Sequence, residues 1–134
     1  MKTVYEVFNT KHKRFSKFLR GPMQAITWQH KIHYEHPKEH HSNTLERRIE
    51  ELEHMVQWRQ GIFFAIKYVL ENIYNAVRFR TLDVYYLNKY EIAAKIYAVK
   101  LVEKYREQKK WGTEDEFLDI IYNTNGFKRK EIHQ

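Results

Sequence analysis

The chain has 134 residues with 24 Lys or Arg against 17 Asp or Glu, a formal net charge of +7, and no cysteine. That length supports one buried core, and 43% hydrophobic with 31% charged residues is a globular mixture that excludes an intrinsically disordered chain. Without cysteine, disulfides, thiolate metal sites and a cysteine nucleophile are excluded.

Charge is unevenly spread. Residues 1–43 hold eight Lys or Arg and three Asp or Glu, a net +5, whereas the remaining two thirds carry only +2. From Val7 to Tyr34 there is no acid at all, while Lys11, Lys13, Arg14, Lys17, Arg20 and Lys31 are interleaved with Phe8, Phe15, Phe18, Trp28 and other apolar residues. Six of the eight histidines (His12, His30, His33, His36, His40 and His41) also lie in this third and can add charge at lower pH. Such a segment suits a polyanionic partner. The opening MKTVYEVFNTKHKRF places charges where a secretory leader needs an apolar run, so no leader is expected. Lys67, Glu71 and Arg78 interrupt Ile62 to Phe79, which makes a poor membrane span.

Taken in order at a helical period, Val4, Tyr5, Phe8, Phe15, Phe18 and Leu19 share one face, with Lys2, Lys13, Arg14, Lys17 and Arg20 mostly on the other. This predicts an amphipathic basic helix over about 3–20, ended by Gly21-Pro22. Residues 23–36 fit both periods: Ile26, Trp28, His30, Ile32 and Tyr34 alternate as in a strand, and Ala25, Trp28 and Ile32 fit a helix. A lone strand has no evident partner, so the helix is favoured, giving a basic helical hairpin over 1–36. Pro37 to Asn43 reads as a linker.

Beyond it, Asn43 with Glu46 is a candidate N-cap pair. One apolar face then runs from Leu45 to Val77, broken near Arg59 and Gly61, which predicts helices over 44–59 and 61–79. The first is expected to turn Glu46, Glu50, Glu51 and Glu53 to water; the second, apolar nearly all round, is expected to be the central helix. Asn88 with Glu91 and Thr113 with Glu116 predict the starts of helices over 89–110 and 114–123, and 124–134 reads as a frayed basic tail. The fold class expected is all-α: a basic N-terminal helical arm (helix, Gly-Pro turn, helix) and a small antiparallel four-helix bundle over 44–123.

The chemistry follows the arm. Lys11, Lys13, Arg14, Lys17, Arg20 and Lys31, with His30 and His33, are the expected DNA contacts, binding phosphates in a salt-dependent and sequence-independent way. His30, His33, His36, His40 and His41 lack a recognised metal-ligand spacing, so no metal or other cofactor is expected. No phosphate loop or nucleophile motif occurs, so neither an enzyme nor a small-molecule substrate is expected. Two other readings stand beside DNA coating: an operator-binding regulator using a recognition helix over 22–36, and an interaction or inhibitor protein without nucleic acid.

This layout, a basic helical arm broken at Gly21-Pro22 and joined through Pro37 to Asn43 to a helical bundle, resembles the coat proteins of filamentous archaeal viruses of the rudivirus and lipothrixvirus type. The resemblance covers the arrangement of elements and carries no diagnostic motif. It implies arms that wrap linear double-stranded DNA, helical self-assembly, possibly with a related second coat protein, and location in the virion.

Overall fold

A computed structural model describes residues 1–10, 25–28, 30–59, 61–80 and 88–134. Among the described residues, four α-helices accompany a four-stranded sheet: β1 (Lys2–Phe8), β2 (Ala25–Trp28), β3 (Lys31–Tyr34), α1 (Leu45–Trp58), α2 (Ile62–Phe79), α3 (Lys89–Glu107), α4 (Glu114–Thr124) and β4 (Phe127–His133). The strand order is β2-β3-β1-β4. β1 is central and parallel to both β3 and β4, and β2 closes an antiparallel hairpin with β3. These four helices lie in the connection from β3 to β4.

The all-α expectation is therefore wrong, and the fold is mixed α/β. The segments read as a helical arm, where described, are strands. Thr3, Val4, Tyr5, Val7 and Phe8 are β-branched or aromatic, and such residues fit a pleated, half-buried surface. What locks them there is β4, about 120 residues away, which pairs with all seven residues of β1. The tail expected to fray is that strand. Residues 11–20 of the helix expected over about 3–20, and the turn at Gly21-Pro22, lie outside the described residues.

Helix positions agree better with expectation. The Asn88 and Thr113 side chains accept from the amides of Tyr90 and Glu116, at 2.9 and 3.2 Å. At α1 the cap is Thr44, accepting from Arg47 N at 3.2 Å, instead of Asn43. Asn43 holds the preceding loop, donating to the Pro37 carbonyl at 2.7 Å.

The helices do not form a bundle around their own core. Leu45, Ile49, Leu52 and Met55 of α1, Ala98 and Val102 of α3, and Phe117, Leu118 and Tyr122 of α4 pack with Val4, Phe8, Ile32 and Tyr34 on the inner face of the sheet. α2 contributes none of this cluster. Far from being central, it is the helix with the longest exposed apolar run.

Polar groups are also sealed in. Glu6, fully buried on β1, accepts from Arg48 Nε and Nη2 at 3.0 and 2.8 Å, from Arg129 Nη1 at 2.9 Å and from the Tyr34 hydroxyl at 3.1 Å. Around this centre, Lys38 bonds Asp115 at 2.6 Å and Glu131 at 2.9 Å, and Arg129 bonds Asp119 at 2.7 Å and also Glu131. Glu6 and Glu131 are register partners, so two carboxylates sit side by side and the cations between them are what make that pairing tolerable. Burial works against the Arg48 and Arg129 charges, but the carboxylate hydrogen bonds outweigh it and hold both guanidiniums protonated.

The same contacts set a pH dependence. Burial alone raises the pKa of Asp115 and Glu131, yet hydrogen bonds from Lys38 and Arg48 to the first, and from Arg129 and Lys38 to the second, leave both below their ordinary values. A carboxyl depressed on folding adds stability that is complete above its unfolded pKa, about 4, and is lost as pH falls through the folded value. Urea midpoints are therefore expected to fall as pH drops from about 5 towards 3. Asp115→Asn should flatten that fall, and an unchanged slope would exclude this carboxyl as a source.

Candidate nucleic-acid interface

Strand alternation gives the sheet two unlike faces. Val4, Glu6 and Phe8 of β1, Ile32 and Tyr34 of β3, and Phe127 of β4 point inward and are buried. The other parity points away from the helical core: Thr3, Tyr5 and Val7, then Lys31 and His33, then Lys128, Lys130 and Ile132. Tyr5 is the register partner of Lys31 on one side and of Lys130 on the other. This makes a row, Lys31–Tyr5–Lys130, across three adjacent strands. With strands about 4.8 Å apart, the two lysine backbones are about 10 Å apart. Lys128, opposite Thr3, extends the basic surface one pleat further. All three lysines are exposed, Tyr5 is half-buried, and Val7 is buried between Ile132 and His33.

The residues expected to touch DNA divide into two groups. Lys11, Lys13, Arg14, Lys17 and Arg20 lie outside the described residues. Described residues on either side of them meet at the end of the sheet where β3 finishes: Thr10 N donates to the Tyr34 carbonyl at 2.8 Å, and Ala25 is the register partner of Tyr34. The second group does not share a helix face. Lys31 and His33 stand two apart on β3, on the outer face, and His30 sits in the β2–β3 turn with φ of 62°. Burial, then the nearby Lys2, lowers the His30 pKa. The His40 ring lies between those of His36 and His41, at centroid distances of 3.8 and 4.2 Å.

Lys128 and Lys130 are not among the residues expected to touch DNA, because a frayed basic tail, expected over 124–134, has no fixed face to place them on. The signal was present: Lys128, Lys130 and Ile132 alternate with Phe127, Arg129 and Glu131 at a period of two.

A second surface lies on α2. Phe63, Ile66, Leu70, Ile73 and Val77 recur at intervals of three and four, and are 49–74% exposed. Its opposite face holds the body through Phe64, whose ring meets Tyr90 edge-on at 5.0 Å, through the Tyr68 hydroxyl donating to Glu91 at 2.6 Å, and through Asn72 accepting from Asn88 at 2.8 Å. The helix thus turns its more polar side inward and its apolar stripe to water, the reverse of an ordinary surface helix. Among the described residues no helix is long and apolar enough to cross a membrane.

No protein-family model, curated protein or solved structure matches this chain. Its reading rests on these two surfaces.

Proposed function

We propose that the chain is a structural nucleic-acid-binding protein that grips the phosphate backbone through the exposed lysines of the sheet's outer face, without reading sequence, and self-associates through α2. The observation that carries this reading is the Lys31–Tyr5–Lys130 row with Lys128 beside it. Lysines on rigid strands neutralise phosphates at fixed spacing, and an aromatic between them offers a ring to sugar or base. Double-stranded DNA is the ligand put first, because it presents one negative charge per about 1.7 Å of axis. The recognition helix that an operator-specific regulator needs over 22–36 is absent, since β2 and β3 occupy most of that span.

The likeness to filamentous-virus coat proteins rests on an all-helical layout, and the sheet takes that support from it. What persists of that expectation is non-specific DNA contact joined to self-association, in a virion or another nucleoprotein assembly.

Fluorescence anisotropy with two unrelated duplexes across a salt series tests the reading. Both should bind equally, with affinity falling steeply as salt rises. Lys31→Ala/Lys128→Ala/Lys130→Ala should reduce the log–log salt slope by about 2–3, near 0.9 per lost phosphate contact. One strongly preferred duplex, or an unchanged slope in the triple variant, would sink it.

A further inference from the structure

We propose that Glu50, His54 and Glu91 form a binding site for a divalent metal ion of zinc's class at the junction of α1, α2 and α3. Glu50 and His54 are four residues apart on α1 and so share a face, and Glu91 sits in the first turn of α3. One ligand atom from each lies within 4.8 Å of the other two. His54 and Glu91 are buried, with side chains 3% and 6% exposed, and Glu50 is half-buried.

The hydrogen bonds around this triad fix which atoms face one another. Gln57 Nε2 donates to the Tyr90 carbonyl at 3.0 Å, so its Oε1 is the atom 2.9 Å from His54 Nδ1. An amide oxygen only accepts, so Nδ1 must carry a hydrogen. The Nε2 edge then faces Glu91 Oε2 at 2.8 Å, an approach that needs a cation for the imidazole and the carboxylate to share. A proton meets that need, and so does a metal. Three further features favour the metal. Ligating histidines ordinarily donate their other ring N–H to an oxygen, as His54 does to Gln57. Ligating carboxylates are themselves hydrogen-bonded, and Tyr68 donates to Glu91 Oε1 at 2.6 Å, on the oxygen turned away from His54. Glu50 brings a second carboxylate to the same point, as a divalent cation needs and a single shared proton does not.

One imidazole and two carboxylates suit zinc, manganese or ferrous iron better than a softer thiolate-seeking ion. Three protein ligands from two helices, with the third helix bonded to one of them, would clamp α1 to α3 and steady α2. The site is independent of the sheet lysines, so it stands or falls apart from the DNA reading.

Calorimetric titration of EDTA-treated, dialysed full-length protein with Zn²⁺ is the test. Wild type should bind one ion per chain and melt at a higher temperature with zinc than without. Glu50→Gln, a half-buried and nearly isosteric change whose fold is checked by circular dichroism, should bind on the order of tenfold more weakly or worse and lose most of the thermal shift. His40→Ala/His41→Ala should bind as wild type does, which separates this site from the stacked histidines. No binding tighter than about 0.1 mM in wild type overturns the proposal. So does zinc that is retained in Glu50→Gln, or lost in His40→Ala/His41→Ala.

Discussion

Glu6→Gln is expected to lose about 3–5 kcal/mol of folding stability, the usual result of breaking a buried ion pair from one side. The carboxylate is fully buried, takes a bidentate grip from Arg48, and serves Arg129 and Tyr34 as well. An amide keeps the shape but takes from two guanidiniums their fully buried counter-charge, leaving Arg48 with Asp115 and Arg129 with Asp119 and Glu131. Domains of this size hold only about 5–15 kcal/mol in total, so the variant should unfold at a much lower urea concentration or not fold at all. The converse variant guards against a trivial outcome. Removing the cluster's three most buried charges together, as Glu6→Leu/Arg48→Met/Arg129→Met, should recover part of the loss, because apolar replacement of a buried ion triad is often neutral or stabilising and Lys38 still pairs with Asp115 and Glu131. A loss below about 1 kcal/mol in Glu6→Gln would show that the cluster is not the lock joining β1, β4 and α1.

The second large effect concerns association. The eight exposed apolar side chains of α2, from Phe63 to Phe79, offer an area on the order of 800 Å², about what one partner supplies to a stable interface. Five of them, Phe63, Ile66, Leu70, Ile73 and Val77, keep the three-four spacing of a coiled-coil seam, which is self-complementary, so a second copy of the same helix is the occupant it fits. Sedimentation at tens of micromolar should therefore find a dimer or larger species. Leu70→Glu/Val77→Glu should weaken association by about 10²–10⁴-fold, since each lost apolar side chain is worth roughly 1.5–3 kcal/mol. Stability of the fold itself should change little, because α2 adds nothing to the main core cluster. A wild-type protein that stays monomeric would remove self-association and leave the stripe to a different protein, the interaction-module reading.

The two surfaces differ in how readable they were. The basic bias of the first third, and Lys31 and His33 within it, are visible in composition. Lys128 and Lys130 join Lys31 only because β1 lies between β3 and β4, a pairing between distant segments that no local window contains. The apolar stripe of α2 was legible as a period, but its direction was not. A stripe is normally buried, and here Phe64, Tyr68 and Asn72 on the other side hold the helix to the body. Glu51 shows the same limit: expected in water with its neighbours, it is 1% exposed.

By itself the sequence determined the helices from residue 45 to 124, because caps such as Thr113 and turns of apolar residues act within a few positions of one another. It also determined an excess of positive charge in the first third. Only the tertiary structure decided that residues 2–8 are a strand, because their amide partners come from residues 127–133. It alone decided that Glu6, Glu51 and Glu91 are inside, because a carboxylate is buried only where partners from other elements converge.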